Sequence, residues 1–142
     1  MLRLYFQQLE AMIEAARAAS PNECCGLMGG VSGRARSVYP LFNAALNTQT
    51  AYEAAPEDLF AAQRQMRERG ESLLAIYHSH PRQADPFPSE TDIRLAYYPQ
   101  AIYFIVGLTG PEPRLGAFRI FADEGRWEPV EYTIESTADN RT

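Results

Sequence analysis

Residues 72–80 read SLLAIYHSH, and this run decides the fold. From Leu73 to Tyr77 it is apolar without alternation, the pattern of a strand covered on both faces. A second run of the same kind, AIYFIVGL, occupies residues 101–108. Strands buried on both sides need helices above and below them, which predicts a mixed sheet packed between helices, an α/β or α+β domain.

Upstream of the first run, Pro56 opens a helix with Glu57 and Asp58 in its first turn, Leu59, Ala62 and Met66 at helical spacing, arginines in its last turn, and Gly70 as its stop. Nearer the N-terminus, Leu2, Leu4 and Phe6 alternate as in a short strand. Leu9, Met12, Ile13 and Ala16 then recur at helical spacing until Pro21. An apolar run from Cys24 to Val31 and an alternating run from Arg34 to Phe42 flank Ser32-Gly33, which reads as a hairpin. Downstream, the proline-rich PRQADPFP suits a loop, and Ser89, Glu90, Thr91 and Asp92 start a helix expected to reach about Tyr97. LGAFRIF follows, then a last strand over Trp127–Ile134, in which Pro129 marks a sheet edge. One domain over 1–134 is expected, with residues 135–142 as a disordered tail.

At 142 residues a single domain can bury roughly 70% of its unfolded surface, so no covalent staples are required. No window is apolar for long enough to span a membrane. The N-terminal residues lack the cationic start, apolar block and cleavage site of a signal peptide, so a cytoplasmic location is expected. The charge is −5 and all thirteen basic residues are arginines spread along the chain, which argues against nucleic acid as a partner. The absence of lysine excludes Schiff-base chemistry and a P-loop. Cys24 and Cys25 are neighbours that cannot close a useful loop, so both read as free thiols in a reducing compartment.

His78 and His80 are the only histidines. In a strand, residues i and i+2 face the same side, so the pair presents two imidazoles to one point. Zinc and similar divalent ions accept such ligands, and a catalytic site adds a third protein ligand and an open position. Asp92 can supply the third if the loop folds back over the strand end. The alternative for the histidines is a solvated or hydrogen-bonded pair, and the alternative for Asp92 is a capping box with Ser89, which competes for the same carboxylate. Glu23, at a helix–strand junction, is by itself an ordinary boundary carboxylate. Hydrolysis at a metal would give it a task, because the attacking water needs a group to take its proton and pass it to the leaving amine.

Taken together, Glu23 followed by HSHPRQADPFPSETD resembles the JAMM (MPN+) metalloprotease family, whose pattern is an upstream glutamate, His-x-His-Pro, a spacer and Ser-x-x-Asp. PNECCGLMGG around the glutamate, and the Asn43 segment leading to YEAAPEDLF, look like its bacterial branch. The spacer before Ser89 is one residue longer than the family's usual seven, and an anchored loop can bulge to take it up. The resemblance implies a fold related to cytidine deaminase, one zinc held by His78, His80 and Asp92, Glu23 as general base and acid, and Ser89 as oxyanion donor. It further implies a peptidase or isopeptidase acting at the C-terminal Gly-Gly tail of a ubiquitin-like or sulfur-carrier protein.

Three other readings stay open on the residues alone. The chain could be an inactive interaction module of the same fold, or a cysteine hydrolase using Cys24 or Cys25, of which only one can face the histidines. Asp85 could be a stray ligand, although a solvated loop carboxylate is its expected state. Tyr52, Tyr97 and Tyr98 could line a substrate groove or simply pack.

Overall fold

The computed structural model describes residues 2–83 and 86–136. Its elements are β1 (Leu2–Tyr5), α1 (Phe6–Ala19), β2 (Cys25–Val31), β3 (Arg34–Leu41), α2 (Pro56–Glu68), β4 (Ser72–His80), α3 (Glu90–Arg94), β5 (Ile102–Gly107), β6 (Arg114–Phe121), a 3-10 turn (Ala122–Glu124), β7 (Arg126–Pro129) and β8 (Tyr132–Glu135). The strands form one mixed sheet in the order β7-β6-β5-β4-β2-β3-β1-β8. The two doubly apolar runs, β4 and β5, lie side by side and parallel near its middle, as their lack of alternation requires.

Alternate residues of these strands feed two cores. Ala75, Tyr77, Phe104 and Val106 pack with Met12 and Ala16 of α1 on one face. Ile76, Tyr103 and Ile105 pack with Ala62 and Met66 of α2, and with Ile93 of α3, on the other. The expected sheet between helices is therefore present, with α1 alone on one side. His78 follows the parity of Ile76, so both histidines emerge on the α2–α3 face.

Close approach across the sheet explains one glycine. Gly26 sits opposite Tyr77 in the β2–β4 pairing, and a Cβ at residue 26 would overlap the fully buried Tyr77 ring. Gly26→Ala is expected to cost about 1–3 kcal/mol through forced repacking. Urea unfolding measures this, and a midpoint equal to wild type would contradict the crowding.

Four boundaries differ from expectation. The strand anticipated over Trp127–Ile134 is two strands on opposite edges of the sheet, β7 antiparallel to β6 and β8 parallel to β1. Pro129 has no N–H to continue a ladder, and Val130 donates instead to the Ala117 carbonyl at 2.8 Å, turning the chain away. Pro129 does lie on an edge strand. Phe6 starts α1 rather than ending β1, because the Gln8 side chain accepts the Tyr5 N–H at 2.8 Å and caps the helix there. Helix α3 stops at Arg94, well short of Tyr97. Glu135 belongs to β8 and pairs with Arg34 at 2.6 Å, while residues 137–142 of the anticipated tail lie outside the described residues. Among the described residues, no helix is long and apolar enough to cross a membrane.

Candidate active site

The end of β4, the start of α3 and the turn before β2 meet at one point. His78 Nε2 and His80 Nε2 are 3.2 Å apart. Asp92 Oδ2 lies 3.1 Å from the first and 3.0 Å from the second. All three residues are buried, and together they could hold a metal ion. A tetrahedral ion with bonds of about 2.0 Å spaces its donors by about 3.3 Å, so the triangle is close to the size such an ion needs. Protons alone serve it poorly. If both imidazoles donate to Oδ2, two N–H groups face each other with no acceptor between them, whereas one cation satisfies all three atoms.

Asp92 also caps helix α3. Its Oδ2 accepts the Ser89 N–H at 2.9 Å while Ser89 Oγ accepts the Asp92 N–H at 3.0 Å, a complete capping box. The capping oxygen is the one that faces both histidines, so capping leaves the carboxylate within reach of both rings. Burial by itself would raise the Asp92 carboxyl, but the neighbouring imidazoles and the Ser89 N–H outweigh it and hold the group far below the usual carboxylate range. His80 shows the complement: burial opposes its charge, yet the hydrogen bond and the charge of Asp92 raise its pKa.

Glu23 is 6% exposed and its Oε1 has no hydrogen-bond partner among the described residues. Desolvation raises its carboxyl from 4.5 to about 7, moderated by the charge of His80 and reinforced by that of Asp92, which puts it within electrostatic reach of both. Its backbone is clasped on both sides: the N–H donates to Thr48 O at 2.7 Å and the carbonyl accepts from Asn43 Nδ2 at 3.0 Å. Ser79, whose side chain points away from the histidines, accepts the Cys24 N–H on its Oγ at 2.9 Å and so pins the residue after Glu23 to β4. Sequence reading passed over Ser79 and gave Asn43 no structural role. A serine of opposite parity within HSH, and an asparagine ending a strand, were the available signals.

A cavity of about 340 Å³ opens beside Asp92, walled by Leu41, Tyr52, Leu59, Tyr97 and Tyr98. All three tyrosines considered as groove residues thus line one space. Cys25 also borders it, on the histidine face, paired in register with His78. Its thiol is 3% exposed and is pushed up to about 12, first by burial and then by the charges of Cys24, Glu23 and Asp58. Cys24 packs in the opposite core, and its pKa is raised too. Neither offers the thiolate a cysteine hydrolase requires at neutral pH. Asp85 lies outside the described residues.

The model for prokaryotic homologs of the JAB domain matches residues 7–121. A desampylase from Haloferax volcanii is 35% identical over 116 residues, covering 80% of this chain and 80% of that protein. A CysO-cysteine peptidase from Mycobacterium tuberculosis is 33% identical over 125 residues, 86% of this chain and 84% of the relative. The solution structure of protein DSY2949 from Desulfitobacterium hafniense superposes with a TM-score of 0.85 at 32% identity, covering 99% and 97% of the two chains. A JAB1/MPN domain protein from Archaeoglobus fulgidus, 21% identical, shares the fold at a TM-score of 0.63 over 95% and 99%. The chain belongs to the prokaryotic JAB family, the bacterial branch of the JAMM/MPN proteins, and is a hydrolase of the JAMM type.

Proposed function

We propose that this chain is a zinc-dependent peptidase that cleaves the amide bond after the C-terminal Gly-Gly tail of a small ubiquitin-like or sulfur-carrier protein. The observation that carries the reading is the convergence of His78 Nε2, His80 Nε2 and Asp92 Oδ2 within 3.0–3.2 Å of one another at the mouth of an apolar groove. These atoms would hold the zinc. When bound, the ion supplies Lewis-acid polarisation of the scissile carbonyl and lowers the pKa of water beside it.

The remaining work falls to the protein. Glu23 takes a proton from the attacking water and returns it to the leaving amine as the carbon–nitrogen bond breaks. A carboxyl raised to about 7 can act in both directions near neutral pH. Ser89 Oγ already accepts the Asp92 N–H, which leaves its own O–H free to donate to the developing oxyanion. An extended tail would lie along the tyrosine-lined cavity beside Asp92, and glycines at the cut would bring the least bulk to it. One relative is named as a CysO-cysteine peptidase and another as a desampylase, which favours small protein substrates over free peptides. Two free, buried cysteines suit a reducing, cytoplasmic setting.

The test is metal analysis of the purified protein combined with hydrolysis of Gly-Gly-tailed carriers. About one zinc per chain is expected, with cleavage lost to a chelator, restored by zinc and spared by thiol alkylation. No cleavage of any such carrier by zinc-loaded protein would overturn the substrate assignment. Cleavage that survives chelation but not alkylation would hand the chemistry to Cys25.

A further inference from the structure

We propose that Tyr52 is a positioning residue for His78, fixing the plane of that imidazole by stacking where metal-binding histidines ordinarily use an outer hydrogen bond; the inference rests on His78 being a metal ligand as proposed above. A histidine bound through Nε2 commonly donates Nδ1–H to a carboxylate, carbonyl or water, and that bond holds the ring in the orientation the ion requires. His78 Nδ1 is buried and has no hydrogen-bond partner among the described residues. Instead, the Tyr52 ring lies against the imidazole with centroids 4.4 Å apart and planes inclined by 22°. Rotation of His78 about its Cβ–Cγ bond would drive the imidazole edge into the tyrosine face, so the stack limits the torsion that sets the ring plane and, with it, the direction of the Nε2 lone pair.

A stack can orient a ligand only if the stacking residue is itself held. Tyr52 lies between β3 and α2, in a segment whose only ladder contact among the described residues is the isolated bridge between Asn43 and Ala54. The Asn43 side chain supplies the missing rigidity on both sides of it. Its Nδ2 donates to Ala51 O at 3.0 Å, and its Oδ1 accepts the Glu53 N–H at 3.1 Å and the Ala45 N–H at 3.0 Å. The same Nδ2 reaches Glu23 O at 3.0 Å. One amide therefore brackets Tyr52 and ties it to the junction that carries Glu23. The segment is thus more than a wall of the groove: through Tyr52 it reaches His78, and through Asn43 the backbone of Glu23.

Metal affinity, measured by competition with a chromophoric chelator, and the visible absorption of the cobalt-substituted protein test this without any substrate. Tyr52→Phe, which keeps the ring, is expected to bind metal within about twofold of wild type with the same cobalt bands. Tyr52→Ala should weaken binding by about 10–100-fold and shift the bands, and Asn43→Ala should move both readouts in the same direction. If Tyr52→Ala does not fold, Tyr52→Leu keeps an apolar side chain of intermediate size without the ring and should still shift the bands. Wild-type affinity and bands in the Ala or Leu variant would overturn the proposal, as would a Phe variant that loses as much as Ala. Wild-type protein that takes up no metal would instead overturn the metal-site reading on which the proposal stands.

Discussion

Asp92→Ala is expected to lose bound metal and hydrolysis together, with activity falling by about 10⁴-fold or more. Losing a Lewis acid removes several kcal/mol of transition-state stabilisation, and each 1.36 kcal/mol is tenfold in rate. The substitution strips the triangle of its only anion, leaving two imidazoles 3.2 Å apart to hold a cation with no charged ligand beside them. It also removes the acceptor for the Ser89 N–H, so the metal-free protein should lose about 1 kcal/mol from the broken cap. Asp92→Asn separates the two roles, since an amide oxygen still caps the helix but brings no charge. Metal content by elemental analysis and unfolding of the metal-free proteins measure both. Zinc retained at wild-type affinity in Asp92→Ala, and equally in His78→Ala, would sink the site model.

Glu23→Gln should produce the opposite split, keeping the metal and losing about 10²–10⁴-fold in hydrolysis. The amide is the same size as the carboxyl but carries no proton at neutral pH that it can exchange with water. Loss of metal in this variant would mean that Glu23 belongs to the ligand set.

The same substitution has a stability consequence with a definite sign. Burial raises the folded-state pKa of Glu23 from 4.5 to about 7, so the folded form favours the protonated acid. Stability from this group is complete below pH 4.5 and is lost as pH rises through 7. Metal-free Glu23→Gln should therefore match wild type near pH 4.5 and exceed it at pH 8, by up to about 3 kcal/mol at 1.36 kcal/mol per pH unit. A bound cation stabilises the carboxylate and shrinks the gap. Thermal unfolding at both pH values, with and without metal, checks the sign.

How far the site was legible follows from the range of each interaction. The His78–His80 pair depends on strand parity, which spans two residues, and the helix α2 depends on a 3.6-residue period; both are visible in a short window of sequence. The order Glu23, His-x-His, Ser-x-x-Asp pointed to the family without any structure. The last two strands were not separable in the same way, because Trp127 and Ile134 are both apolar and β-prone, and only their pairing with β6 and β1 puts them on opposite edges.

The sequence by itself determined the doubly buried strands and the shared face of the two histidines, because each follows from local periodicity, while Asp92 as their companion was implied only by the resemblance to the JAMM pattern. Only the tertiary structure decided that one oxygen of Asp92 both caps α3 and faces the histidines, for that needs the strand end and helix start brought within 3.1 Å. It likewise decided the raised pKa of Glu23, which burial sets, and the bracket by which Asn43 holds Tyr52 against His78. Those contacts join residues 8 to 26 positions apart, beyond the reach of any pattern along the chain.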